Sequence, residues 1–247
     1  MQPLQNYMKP IYGEFMRVAD FAARRISAIF PAAPFVPATT LHLAVDLHEE
    51  YRELLKSPAR RANFLVKAER LASALHGQGV ETMAIAHGEY YVNNFEFYTG
   101  TRAGASRTIL NYRRHQLTQY QISLPTLKDE QDLAIKFNFN AFNCGALSRE
   151  LKTRNIQDIL VSGANTNVCV LATVKGALKA GFRAHVVVDE VADCNAKAGE
   201  DENVHWHRRQ LALLNLKYPH RLKLVSKNDV LASLRQTSVR ELRPAPA

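Results

Sequence analysis

The chain has 247 residues, 47% hydrophobic and 22% charged, with 32 Lys and Arg against 23 Asp and Glu for a net charge of +9. This composition excludes a predominantly disordered polymer, and no stretch approaches the roughly 18–20 uninterrupted apolar residues of a membrane-spanning helix. Three widely spaced cysteines, Cys144, Cys169 and Cys194, form no CxxC pair, which argues against a disulfide framework or zinc knuckle and for a reducing, cytoplasmic setting.

In chain order, Ile11, Phe15, Val18, Phe21, Ala22, Ile26 and Phe30 recur at helical spacing, predicting an amphipathic N-terminal helix. Pro31, Pro34 and Pro37 then form a connector. From residue 39 short apolar runs alternate with helical stretches. Strands are expected at 41–45, 82–86, 133–135, 158–162, 184–188 and 222–225. Helices are expected at 61–78, 145–154, 167–180, 203–215 and 228–235, with Gly79 and Gly181 where two of them should stop. This alternation predicts an α/β fold, a three-layer arrangement with a mainly parallel sheet flanked by helices, plus the N-terminal helical extension. The domain organisation follows as residues 1–38 for the extension and connector, 39–238 for the main domain and 239–247 for a flexible tail. The stretch from about 88 to 130, rich in Tyr and Arg, is too long for a simple connector and is expected to cover a site or a subunit contact.

Ligands of such sheets sit outside the carboxyl ends of the strands. Three residues of different chemistry fall at or just after predicted strand ends: Asp46, Lys136 and Cys169. Taken singly, each has a plainer reading, as a turn cap, a solvated edge residue and a small buried hydrophobe respectively. Together they supply the parts of acyl transfer. Cys169 falls in the first turn of a predicted helix, where unpaired N–H groups and the helix dipole favour a thiolate. Asp46 is suited to moving the thiol proton and Lys136 to holding the carboxylate.

The surroundings of these residues, LHLAVDLHEEY around Asp46, IKFNFNAFNCGAL from Lys136 and ILVSGANTNVCVLATVKGALKAGF around Cys169, followed by VVVDEVADC, resemble the isochorismatase-like cysteine hydrolases from about residue 39 to 236. The resemblance implies a Rossmann-like fold, an Asp46-Lys136-Cys169 triad, and a cis peptide between Ala164 and Asn165. It also implies an oxyanion hole made by the backbone N–H groups of Asn165 and Cys169. Because the cysteine is present, it favours hydrolysis of a C–N amide or ureide bond in a small molecule over vinyl-ether cleavage.

Nicotinamidases of this kind carry an Asp-x-His pair plus a further His that bind a metal. Here the second strand runs into Ala86-His87-Gly88-Glu89, and two ligands seldom hold zinc, so neither a metal nor a cofactor is assigned. His48, His87, Phe137 and Phe142 are candidate substrate contacts, with packing as the alternative for each. Cys144 reads as a filler, Cys194 as structural, and His205, Trp206 and His207 as packing residues. The resemblance also implies a homo-oligomer. A rival reading is a non-catalytic or secondary binding protein that uses its basic surface for an acidic partner. Against nucleic acid as that partner, no recognition motif or aromatic stacking platform is present.

Overall fold

The computed structural model describes residues 34–47, 58–87, 108–110, 133–136, 138–192 and 206–241. The expected N-terminal helix, nearly all of the 88–130 stretch, His48, Glu89, Phe137, Cys194, His205 and the last six residues lie outside the described residues, as do the side chains of His87, Cys144, Trp206 and His207. Seven strands form one sheet: β1 (Thr40–Val45), β2 (Glu81–His87), β3 (Thr108–Leu110), β4 (Leu133–Lys136), β5 (Asp158–Ala164), β6 (Arg183–Ala192) and β7 (Leu222–Val225). The helices are α1 (Pro58–His76), α2 (Ala146–Thr153), α3 (Leu171–Ala180), α4 (Trp206–Lys217) and α5 (Lys227–Glu241). Each element expected from residue 39 onward is present at its expected place, with ends shifted by a few residues. Strand β3, inside the 88–130 stretch, is the additional one.

The sheet order is β3-β4-β2-β1-β5-β6-β7. All neighbours are parallel except the β3–β4 pair, which closes one edge antiparallel. From β1 the chain winds to β2 in one direction, and from β5 to β6 and β7 in the other. Right-handed crossovers therefore place α1 on the opposite face from α3 and α4. The core agrees: Leu71 and Leu75 of α1 pack with Val230 and Leu234 of α5 against Leu160, Val187 and Val225. Leu147, Leu151, Val174, Ala177 and Leu211 belong to a larger cluster with Leu41, Leu43, Ile85, Ile159 and Val186. Helix α3 ends where Gly181 turns into the left-handed region at φ 103 and the Phe182 N–H reaches the Ala177 carbonyl at 3.1 Å. A Cβ at that angle would be strained, which is why a glycine stops the helix there. Among the described residues no helix is long and apolar enough to cross a membrane.

A polar thread crosses the apolar sheet. His42, fully buried in β1, places Nδ1 3.0 Å from the Thr82 hydroxyl on β2 and Nε2 2.8 Å from the Ser162 hydroxyl on β5. A neutral imidazole donates through one ring nitrogen and accepts through the other, so the hydroxyls satisfy it without a charge. Burial pushes its pKa down from 6.5 to about 3. At the other end of β5, desolvation of the buried Asp158 carboxylate is outweighed by Arg183 Nε at 2.7 Å and His185 Nε2 at 2.9 Å, and its pKa lies below the ordinary value.

The sheet register breaks at the tip of β5. Pairing with β6 shifts between Val161 and Gly163, while Gly163 still faces Val45 of β1. Gly163 has φ 111, and a Cβ built on it would stand 2.0 Å from the Val45 carbonyl oxygen. Both the angle and the space require glycine. This close approach brings the chain after β5 beside the chain after β1.

Two outcomes follow from these contacts. Between pH 6.5 and about 3 the unfolded chain binds a proton at His42 that the folded chain does not. Stability should therefore fall on acidification by about 1.4 kcal/mol per pH unit. Denaturant melts from pH 6.5 to 4.5, above the acid window of Asp158, should show this slope in wild type and a flatter one in His42→Gln; equal slopes would assign the effect elsewhere. Gly163→Ala should cost about 2–4 kcal/mol through strain and the clash with Val45, measured as a lowered denaturation midpoint.

Candidate active site

The reversal of winding falls between β1 and β5, and the crevice at their carboxyl ends is where doubly wound sheets hold ligands. Asp46 is the residue immediately after β1. Its backbone sits at φ 52, in the left-handed region that Asp enters more readily than most residues, and its N–H is held by the Ile85 carbonyl at 2.7 Å. Lys136 is the last residue of β4, two strands away from β1. Two strand spacings amount to about 10 Å, a gap that takes a long side chain to bridge. Lys136 bridges it: its Nζ donates to Asp46 Oδ2 at 2.8 Å and reaches Cys169 Sγ at 3.5 Å.

Cys169 follows β5, past the cis peptide between Ala164 and Asn165. Residues Thr166–Val170 do not open an ordinary α-helix but form a π-helical turn. The Asn165 carbonyl accepts the N–H groups of Val168 and Val170, both at 3.1 Å, and the Thr166 hydroxyl donates to the Ala192 carbonyl at 2.9 Å. The widened turn, pinned to β6, delivers Cys169 to the lysine before regular α3 begins.

Asp46, Lys136 and Cys169 all have 0% exposure. Burying a carboxylate and an ammonium costs several kcal/mol per ion, offset here by their pairing. Asp46 Oδ1 has no hydrogen-bond partner among the described residues. A buried carboxylate oxygen left open beside a thiol is an acceptor available to an incoming N–H or water. Cys169 is a buried thiol.

Of the other candidates, Asn165 flanks the turn and is 8% exposed. Phe142 is buried in the larger core cluster with its ring 5.7 Å from Phe182. His87 is the last residue of β2, in register with Lys136. Among the described residues no three His, Cys, Asp or Glu side chains cluster as metal ligands.

Residues that sequence reasoning passed over tie the site together. The loop after β4 is built from Asx turns: Asn138 Oδ1 accepts the Asn140 N–H at 3.2 Å, and Asn140 Oδ1 accepts the Phe142 N–H at 2.9 Å. That loop lies on α3. A Cβ on Gly176 would stand 2.1 Å from Asn140 Oδ1, and the buried Thr173 hydroxyl accepts the Ala141 N–H at 3.3 Å and donates to the Phe139 carbonyl at 3.5 Å. The available signal was Gly176 itself, since a glycine inside a helix costs about 1 kcal/mol against alanine and marks a close approach.

The isochorismatase domain family model matches residues 40–212. No curated protein matches the chain at a significant level. Among solved structures, a cysteine hydrolase from Pseudomonas syringae pv. phaseolicola is similar with a TM-score of 0.52 at 16% identity, covering 83% of this chain and 96% of that one. An isochorismatase family protein from Burkholderia thailandensis has a TM-score of 0.52 at 19% identity, covering 83% and 100%. The YcaC gene product of Escherichia coli, an octameric hydrolase of unknown specificity, has a TM-score of 0.52 at 15% identity, covering 83% and 84%. With the family model matched over residues 40–212, more than half of the chain, the chain belongs to the isochorismatase family.

Proposed function

We propose that this protein is a cysteine hydrolase that cleaves a C–N amide or ureide bond of a small molecule through a thioester. The observation that carries the reading is one buried ammonium shared by a carboxylate at 2.8 Å and a thiol at 3.5 Å. A buried ion pair is weak evidence of stabilisation, because well-packed apolar residues serve as well or better. Its presence beside a thiol at a switch point supports a chemical role.

In this mechanism Asp46 takes the Cys169 proton and Lys136 stabilises the resulting thiolate. The sulfur attacks the substrate carbonyl carbon. The tetrahedral oxyanion is held by the backbone N–H groups of Asn165 and Cys169. As the C–N bond breaks, Asp46 returns the proton to the leaving nitrogen. It then takes a proton from the water that attacks the thioester, and the acid product leaves as the thiol re-forms. Lys136 keeps Asp46 oriented throughout. No resident metal or cofactor enters these steps. Self-association of the chain belongs to the same reading, by analogy with the octameric E. coli hydrolase, and sedimentation of the purified protein checks it.

Cys169→Ala should abolish ammonia release across a panel of small amides, carbamoyl compounds and ureides while leaving the melting curve within a few degrees of wild type. Full turnover of any accepted substrate by that variant would sink the mechanism. Lys136→Met, which leaves Asp46 buried and unpaired, should destabilise by about 3–5 kcal/mol. Adding Asp46→Leu should recover much of that stability without recovering activity, which separates the folding role of the pair from its chemical one.

A further inference from the structure

The distance between Lys136 and Cys169 is set across two elements that share no backbone pairing, β4 and the turn before α3. Besides the Lys136–Cys169 contact itself, α3 just beyond the nucleophile holds the loop that leaves β4. Thr173 lies four residues after Cys169, is fully buried, and directs its hydroxyl away from its own helix to the loop that leaves Lys136. A threonine in a helix interior commonly bonds back to its own preceding turn. Here the same hydroxyl accepts the Ala141 N–H at 3.3 Å and donates a hydrogen bond to the Phe139 carbonyl at 3.5 Å, closing the loop around one atom. One turn further along, Gly176 leaves the space in which the Asn140 side chain lies. The loop is thus clamped to the nucleophile's own helix at two successive turns.

We propose that Thr173 is a positioning residue for the thiolate: by holding the chain at 139–141 against α3 it keeps Lys136 beside Cys169, although it touches none of the three triad residues through the bonds described. The inference rests on the proposed role of Lys136 in stabilising the thiolate. Thr173→Val keeps the shape and removes the hydroxyl, and Thr173→Ser keeps the hydroxyl.

The test is the pH dependence of iodoacetamide alkylation at Cys169, followed on the Cys169 peptide by mass spectrometry so that Cys144 and Cys194 do not contribute. Wild type should alkylate with a midpoint below that of an ordinary thiol, near 8.5. Thr173→Val should move the midpoint upward and lower the rate at pH 7 by about threefold to tenfold, with Thr173→Ser restoring both. A merely structural role would change the melting temperature or the plateau rate and leave the midpoint in place, and that result overturns the proposal. Thr173→Ala serves if the valine variant does not fold. A wild-type midpoint of an ordinary thiol, unchanged in Lys136→Met, would overturn the thiolate reading itself and this inference with it. A depressed midpoint in wild type that Lys136→Met raises and Thr173→Val does not would overturn this inference alone.

Discussion

One buried ammonium organises the candidate site at the carboxyl ends of the strands. Lys136 Nζ, with no solvent to share its charge, sits 2.8 Å from the Asp46 carboxylate and 3.5 Å from the Cys169 sulfur. A charge in that position is tolerable only while its partner stays in place, so every feature that fixes the ends of β1, β4 and β5 also supports the pair. The sheet supplies the first part of that support. Strands β1 and β5 pair directly, β4 pairs with β2 on the other side of β1, and the winding reverses between β1 and β5.

Local backbone irregularity supplies the second part. Asp46 is held in the left-handed region, Gly163 lets β5 press against Val45, and a π-helical turn stands where a regular helix would start. Each departs from ideal strand or helix geometry, and all three lie within a few residues of the site. Such departures persist where the surrounding structure over-determines them. Here the surroundings include the Thr166 bond to β6 and the docking of the 138–142 loop on α3.

The polar groups of the interior divide by what they satisfy. His42 is neutral and paired on both nitrogens, so it joins three strands without introducing charge. Asp158 is met by the Arg183 guanidinium and by His185 Nε2 at the opposite end of the sheet from the thiol. Asp46 differs from both, because one oxygen is paired and the other is left open. Asp46 Oδ1 is one of several buried side-chain atoms without a partner among the described residues, and it is the one on the carboxylate that shares an ammonium with the thiol.

The order of strands and helices from residue 39, the stop at Gly181 and the three residue types at strand ends were legible from periodicity and turn chemistry, because those signals are local in the chain. Thr173 and Gly176 were not, since a hydroxyl in an apolar helix and a lone glycine acquire meaning only from the loop that packs on them. His42 likewise looked like one more residue of an apolar strand until its neighbours supplied two hydroxyls. The sequence by itself determined an α/β chain with a carboxylate, an amine and a thiol at or just after the ends of particular strands. Only the tertiary structure decided that the amine lies between the other two, because residues 90 and 33 positions apart meet through sheet order and register, which no local signal encodes.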